Sequence, residues 1–161
     1  MKEEDILFFL KKIKENHSLQ NEFRNLVIDN LELRNNAFHP LVFINGNPQI
    51  GKNVYIGLFS EVNARGAEII IGNNCDIASF VSINVADSHL VTLGKSPDIK
   101  RESIILGDNV FVGSHTFIGG NVHIDHHCVV GAGSVVINTG YIPPYSLIVG
   151  NPAVVKEGYF I

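Results

Sequence analysis

The stretch that decides the fold is LGDNVFVGSHTFIGGNVHIDHHCVVGAGSVV, residues 106–136, in which every sixth residue is aliphatic. The same spacing continues to Ile142 and Ile148, and it recurs earlier at Ile44, Ile50, Ile56 and Val62 and at Ile71, Ile77 and Ile83. One face of an α-helix cannot hold a period of six, because the helix repeats about every 3.6 residues. A strict hexapeptide repeat instead indicates a parallel β-helix, in which each repeat forms one short strand and one turn.

Two further positions of the repeat favour a triangular prism. The residue after the aliphatic one is often glycine, and we expect it to take a positive φ at a tight corner: Gly51, Gly57, Gly72, Gly107, Gly113, Gly119 and Gly131. Four positions after the aliphatic residue stands a small or β-branched residue, which we expect to fill the narrow interior near a corner: Val54, Ser60, Cys75, Val81, Val110, Thr116, Val122, Cys128, Ser134 and Ser146. Three sides make one coil, and the chain has room for about five coils stacked at roughly 4.8 Å.

Length and composition describe an ordinary globular protein. The chain has 161 residues, 45% of them hydrophobic and 17% charged, with a net charge of −4, and it shows no basic stripe that would favour a nucleic-acid partner. The apolar run Ile6–Leu10 is too short for a signal peptide or a membrane span, so we expect a cytoplasmic protein. Cys75 and Cys128 share the small interior position of different repeats, which predicts core thiols and no disulfide or metal pair.

The first part of the chain lacks the six-residue period. Apolar residues at helical spacing predict two short helices, with His17-Ser18 ending one and capping the next. Asn35-Asn36 and His39-Pro40 indicate a turn into the repeats. We therefore expect a helical segment over residues 1–35 and a β-helix over residues 36–161.

The repeat is interrupted at two places. Val62 and Ile71 are nine residues apart, with the surplus near Arg65-Gly66-Ala67. Ile83 and Leu106 are twenty-three residues apart, which predicts a protruding loop within residues 84–105. Solenoid insertions gather on the functional face, so we expect the chemistry in this loop, which begins Asn84-Val85-Ala86-Asp87-Ser88-His89. Asp87 falls on the small interior position of its repeat, and it could either orient His89 or only form the turn.

Three segments carry a family resemblance: LGDNVFVGSHTFIGG (106–120), VVGAGSVV (129–136) and IPPYSLIVGNPA (142–153). Over roughly residues 42–156 the chain resembles the hexapeptide-repeat acyltransferases, in particular the sugar O-acetyltransferase branch with the galactoside and maltose enzymes. The resemblance implies a left-handed coil, a homotrimer with active sites between adjacent prisms, and acetyl-CoA as co-substrate without a metal. It implies a sugar or nucleotide-sugar acceptor near the loop, with His89 as the general base in a direct ternary complex.

The resemblance also implies which residues contact the two substrates. Acetyl-CoA would lie along Phe111, Gly113, Ser114, Gly131 and Ala132, with Lys156 as the basic residue nearest to a phosphate. Small residues are also needed at prism corners for structural reasons, so for these residues a structural role and a cofactor-binding role both stay open. The acceptor-binding Asn of the galactoside enzymes aligns nearest to Phe59, and Asn63 is a possible substitute; Asn84, Asp87 and His115 complete the set.

The cluster His123, His126 and His127 invites a metal-site interpretation. The γ-class carbonic anhydrases use a similar prism, in which two zinc histidines of one chain are five positions apart. No two histidines of this sequence have that separation. We therefore expect no metal, and surface histidines near a trimer interface.

These observations lead to three hypotheses. The first is acetyl transfer from acetyl-CoA to a hydroxyl of a sugar or glycan. The second is N-acetylation of an amino sugar, which can be nucleotide-linked. The third is a non-catalytic β-helix that serves as an assembly surface, which would need neither the long loop nor His89.

Overall fold

The computed structural model describes residues 3–30 and 41–161. The chain divides into two compact units, Met1–Asn35 and Asn36–Ile161. The turn expected at Asn35-Asn36 and His39-Pro40 lies outside the described residues. Within the described residues, no helix has both the length and the apolar character that a membrane span requires.

The N-terminal unit contains the two predicted helices, α1 (Glu3–Lys14) and α2 (His17–Asn30). Phe9 of α1 packs edge-on against Phe23 of α2, with ring centroids 6.2 Å apart. The prediction that Ser18 caps α2 is wrong. His17 is already helical, and the side-chain oxygen of Asn16 accepts the backbone N–H groups of Ser18 and Leu19 at 3.0 and 3.3 Å. Asn16 is thus the residue that satisfies the free donors of the first turn.

The second unit is built from three parallel sheets that form the sides of a prism. The first sheet consists of β1 (Phe43–Asn45), β4 (Glu61–Asn63), β7 (Ser82–Asn84), β12 (Phe117–Ile118) and β15 (Val135–Val136). The second consists of β2 (Gln49–Ile50), β5 (Ile69–Ile71), β10 (Ile104–Leu106), β13 (Val122–Ile124) and β16 (Gly140–Ile142). The third consists of β3 (Tyr55–Ile56), β6 (Asp76–Ile77), β11 (Phe111–Val112), β14 (Val129–Val130), β17 (Leu147–Gly150) and the antiparallel β18 (Ala153–Lys156).

The chain visits the three sheets in turn, so that coils 1 to 5 begin at β1, β4, β7, β12 and β15. The register preserves the repeat, because Leu106 pairs with Ile124 and Ile124 pairs with Ile142. One long loop leaves coil 3 and holds β8 (Ala86–Asp87), α3 (His89–Thr92) and β9 (Lys100–Arg101). The predicted mainly-β solenoid of about five coils, with a short helical segment and one protruding loop, is confirmed; its left hand stays a prediction.

The prism interior is filled as the repeat predicts. The repeated aliphatic residues from Ile56 onward are at most 1% exposed, and Ile44 and Ile50 of coil 1 are partly buried. Cys75 and Cys128 are buried free thiols, and burial raises the pKa of both. Four buried hydroxyls satisfy themselves by donating to backbone carbonyls: Ser60, Thr116, Ser134 and Ser146.

The prediction that the repeat glycines take a positive φ is wrong. None of the seven has a positive φ, and the left-handed residue stands two positions later, as at Asn53, Asn74 and Asn109. Five of the seven are required by close stacking instead: Gly51, Gly57, Gly72, Gly107 and Gly113. A Cβ on Gly107 would lie 2.7 Å from the backbone nitrogen of His126, and one on Gly113 would lie 2.5 Å from that of Ala132. Real Cβ atoms almost never come so near to backbone atoms of another coil.

We expect Gly107→Ala to lower the melting temperature of the prism by about 2–10 °C, because the added methyl group must push two coils apart. Gly133→Asn is the matched control. Gly133 has a φ of +69° and nothing within 4 Å of its Cβ position, and asparagine occupies equivalent left-handed sites in other coils. Thermal unfolding followed by circular dichroism compares the two. Equal melting temperatures for the wild type and Gly107→Ala would contradict the stacking requirement.

Candidate functional site

The long loop leaves the prism where the first and second sheets meet, which we call the loop corner. Asn84 ends β7 and stands beside Asn63 of β4 in register. The Asn84 side-chain oxygen accepts the amide of Asn63 at 3.3 Å and the backbone N–H of Ala86 at 2.9 Å. These contacts hold the chain at the point where it leaves the prism. Asn63 and Asn84, which the sequence predicts to contact the acceptor sugar, therefore lie together at the start of the loop.

Asp87 and His89 form a hydrogen-bonded pair at the start of the loop. One carboxylate oxygen of Asp87 accepts the backbone N–H of His89 at 3.2 Å and contacts its ring Nδ1 at 2.5 Å. The two side chains are 52% and 59% exposed, respectively. The prediction that Asp87 fills the small interior position of its repeat is therefore wrong, because the chain has already left the prism. Its possible role in orienting His89 is compatible with this geometry.

The charge state of Asp87 fixes the proton position on His89. Hydrogen bonds from the ring and the backbone N–H of His89 lower the pKa of Asp87, which is therefore ionised at neutral pH. An ionised carboxylate can only accept hydrogen bonds. Nδ1 of a neutral His89 must then carry the proton, which leaves the lone pair on Nε2.

A cleft of about 210 Å³ lies between the loop and coils 4 and 5. Loop residues line one side, and the first sheet and the loop corner of coils 4 and 5 line the other: Asn84, Val85, Ala86, Asp87, Lys100 and Glu102, then Phe117, Gly119, Gly120, Ile137 and Asn138. Lys100 and Glu102 form an ion pair of 2.8 Å. The cleft thus has an apolar floor and a charged rim, and Asp87 links it to His89. Sequence reasoning missed Glu102 and Phe117: Glu102 lies within the second interruption, and no sequence pattern marks Phe117 as a site residue.

The predicted cofactor residues gather at a different corner, between the third and first sheets, which we call the Ser114 corner. Gly113 packs against Ala132 of the next coil, and the carbonyl of Ser114 accepts the N–H of Gly133 at 2.9 Å. Ala132 is exposed and Gly131 is half-buried. Small groups of two successive coils therefore form one shallow strip.

His115 is exposed at the same corner and lies in a turn. It has a φ of 60°, and its ring lies parallel to that of Phe80 at 4.8 Å. Phe80 in turn contacts Phe59 with centroids 5.4 Å apart. Phe59 therefore lies in this aromatic stack and away from Asn63, which belongs to the loop corner.

The other two predicted cofactor residues lie on the third sheet. Phe111 of β11 is 40% exposed. Lys156 lies at the end of β18, opposite Leu147, and its ammonium group is 5.9 Å from the ring of Tyr159. Phe111 and Lys156 therefore share a side of the prism that adjoins the Ser114 corner.

The histidine cluster noted in the sequence lies on the second sheet and at the corner between the second and third sheets, with His123 on β13 and His126 and His127 at the corner. His126 and His127 contact each other through Nδ1 at 2.9 Å, and both rings pack on Tyr145. His123 packs on Tyr141, whose hydroxyl donates to Asp125 at 2.6 Å and lowers the pKa of that carboxyl. Across the described ranges, no group of three or more His, Cys, Asp or Glu side chains could hold a metal ion.

We expect neutral His89 to hold its proton on Nδ1, opposite to the preference of free histidine for Nε2–H. Nitrogen NMR of the imidazole ring at alkaline pH distinguishes the two tautomers. Asp87→Ala should return His89 to the Nε2–H form, whereas the exposed His17 should show no change. A wild-type His89 in the Nε2–H form would show that the contact with Asp87 does not persist in solution.

Comparisons with known proteins agree with the resemblance seen in the sequence. No family model matches the chain. The galactoside O-acetyltransferase of Escherichia coli (strain K12) is 36% identical over 122 residues, which cover 73% of this chain and 58% of that enzyme. The chain thus spans little more than half of that relative's length.

Two solved structures share the fold. The polySia specific acetyltransferase NeuO has a TM-score of 0.60 and 27% identity, over 74% of this chain and 62% of that one. AntD, an N-acyltransferase from Bacillus cereus in complex with dTDP-4-amino-4,6-dideoxyglucose and coenzyme A, has a TM-score of 0.65 and 20% identity, over 74% and 67%. The chain is therefore similar in its repeats to sugar acetyltransferases, and it shares the stacked-coil fold on which such enzymes are built.

Proposed function

We propose that this protein transfers an acetyl group from acetyl-CoA to a hydroxyl of a sugar or glycan. The observation that carries the proposal is the Asp87–His89 pair, which stands at the start of a loop beside a cleft. The 36% identity with a galactoside O-acetyltransferase supports the same chemistry. A β-helix used only as an assembly surface would have no need of an oriented imidazole.

In the proposed reaction His89 is the general base. Its Nε2 lone pair accepts the proton of the acceptor hydroxyl while the hydroxyl oxygen attacks the thioester carbonyl. The tetrahedral intermediate then expels the thiolate of coenzyme A, which takes up the proton held by the imidazolium. Asp87 keeps Nδ1 protonated and stabilises the imidazolium charge, in the way that a carboxylate supports a catalytic histidine elsewhere. A base of this kind contributes roughly 10²–10⁴ in rate.

We place acetyl-CoA along the Ser114 corner and the third sheet. Gly113, Ser114, Gly131 and Ala132 leave a strip without bulky side chains, which suits the narrow pantetheine arm. Phe111 offers an exposed ring nearby, and Lys156 offers a positive charge for a phosphate. The complex of AntD with coenzyme A shows that a protein of this fold can hold the cofactor.

The site we propose is completed by a second copy of the chain, within a homotrimer. In one chain the loop corner and the Ser114 corner are at opposite ends of the strands of the first sheet. A neighbouring prism could bring its Ser114 corner to the loop of the first. Asn63, Asn84 and His115 are then the candidates for contact with the acceptor.

We expect His89→Ala to lower kcat by at least about 100-fold while acetyl-CoA binding stays nearly unchanged, because the base acts in the chemical step. His126→Ala and His127→Ala, at another corner, are the controls and should keep most of the activity. Thiol release from acetyl-CoA is the assay, with sugars, nucleotide sugars and glycans as acceptors.

The rate should also fall at acid pH, since a protonated imidazole accepts no proton. Similar losses in all three variants, or a flat pH profile with chemistry rate-limiting, would exclude His89 as the base. Amino-sugar acceptors in the same assay separate O-transfer from N-transfer: an amine that is already neutral needs less help from a base, so its transfer should survive His89→Ala better.

We expect acetyl-CoA to raise the melting temperature, because a ligand bound only by the native state stabilises that state. Ala132→Trp should abolish the shift by filling the strip, and Lys52→Trp, at another exposed corner, should not. Light scattering should show a trimer for the wild type and both variants. If acetyl-CoA still raises the melting temperature of Ala132→Trp, the cofactor binds elsewhere. If the wild type is a monomer, the proposed site between two chains does not exist.

A further inference from the structure

The two interruptions of the hexapeptide repeat meet in space. The surplus residues of the first interruption include Arg65 and Gly66, and Arg101 stands in the returning part of the long loop. Nη1 of Arg101 donates a hydrogen bond to the carbonyl oxygen of Arg65 at 2.6 Å. The loop of coil 3 is thereby tied to the corner of coil 2.

Gly66 provides a socket for the arginine side chain. A Cβ on Gly66 would lie 2.6 Å from Cδ and 2.9 Å from Nε of Arg101. Gly66 also has a φ of +87°, a conformation that other residues rarely adopt. Arg101 therefore occupies the space that a side chain at position 66 would take, and the first interruption supplies both this space and the carbonyl acceptor.

The next residues of the returning chain are held on the opposite side, by coil 4. A Cβ on Gly120 would lie 2.7 Å from Cβ of Glu102. The carbonyl of Ser103 accepts the N–H of Asn121 at 3.1 Å. Residues 101–103 are thus fixed between coil 2 and coil 4, with one close glycine contact on each side.

This fixed segment connects directly to the Asp87–His89 pair. In the antiparallel ladder of β8 and β9, Arg101 pairs with Ala86 and Lys100 pairs with Asp87. The N–H of Glu102 also donates to the carbonyl of Val85 at 3.1 Å. The backbone of Arg101 is therefore connected through the paired strands to Asp87, whose carboxylate contacts the His89 ring.

We infer that Arg101 is a positioning residue, which holds the Asp87–His89 pair in place through the socket at Gly66. The inference rests on the proposed function, because it assigns the arginine to the base of that reaction. Its guanidinium is engaged by the Arg65 carbonyl, so it acts without touching the reacting atoms. Displacement of a catalytic group by about 1 Å can cost on the order of 100-fold in rate.

The kinetic test begins with Arg101→Ala. We expect kcat for acetyl transfer to fall about 10- to 100-fold while the KM for acetyl-CoA stays unchanged. Arg101→Lys should recover part of the loss, because lysine keeps an aliphatic stem for the socket and one donor for the carbonyl. Lys95→Ala removes the same charge from the same loop and should keep the wild-type kcat. A wild-type kcat in Arg101→Ala, or an equal loss in Lys95→Ala, would overturn the inference.

Gly66→Ala reaches the arginine by an independent route, since the new methyl group would occupy the position of Cδ. It should lower kcat as Arg101→Ala does, and the double variant should lose no more than either single variant. Such non-additivity identifies two changes that act through one contact. Full additivity of the two losses in kcat would show that Gly66 acts through backbone strain alone, and it would overturn the socket.

The nitrogen NMR spectrum of the His89 ring separates failure of this inference from failure of the proposed function. Arg101→Ala should weaken the Nδ1–H form of His89 in the same direction as Asp87→Ala. If the wild type transfers no acetyl group, the proposed function fails and this spectrum alone decides whether Arg101 positions the pair. An unchanged His89 spectrum in Arg101→Ala would overturn the inference, whatever the activity.

Discussion

The close approach of successive coils is the constraint on which the rest of the structure depends. The backbone N–H groups of Gly72, Gly107 and Gly113 each donate to a carbonyl of the next coil at 2.8 Å. At these three positions an added Cβ would lie 2.5–2.7 Å from atoms of the next coil, so the coils could not stack as closely there with a side chain present. Buried aliphatic side chains provide the driving force for folding but tolerate changes of shape. The closely stacked glycines therefore add a local constraint, since each would clash with the next coil if it carried a side chain.

The same constraint explains where the prism can carry a functional insertion. The loop leaves after β7 and returns at β10, yet Ile83 still pairs with Ile118 and Leu106 still pairs with Ile71. The ladders are undisturbed because the extra residues leave at a corner, where no strand hydrogen bond is lost. A loop added in this way needs its own attachment to the prism, and the short interruption in coil 2 provides one. Without this attachment, the loop would still carry His89 but would not fix its position.

Periodic features could be predicted from the sequence, and features that depend on contact between coils could not. The aliphatic positions, the small interior positions and the loop follow from spacing alone, because every coil repeats the same environment. The φ of the repeat glycines was wrongly predicted, since their requirement arises from backbone atoms eighteen or more residues away. The same period wrongly predicts that Asp87 lies inside the prism, because the chain leaves the prism one step before the period reaches that residue. The socket of Arg101 on Gly66 joins residues thirty-five apart, and no local pattern reports such a contact.

The candidate site is divided between two corners of the prism, and this division bears on how the chains assemble. For transfer, the acceptor hydroxyl oxygen must lie about 3–3.5 Å from the thioester carbonyl and within hydrogen-bond reach of the base, so the base and the thioester must be close together. A six-residue side of the prism is up to roughly 20 Å long, so the strip at Ser114 and the pair at His89 of one chain are far apart. The cleft beside the loop opens onto the first sheet, whose other boundary is the Ser114 corner. A second prism that placed its Ser114 corner against this cleft would supply the donor to the base from outside the chain. Enzymatic activity would then require the pairing of two prisms, although each prism has a hydrophobic core of its own.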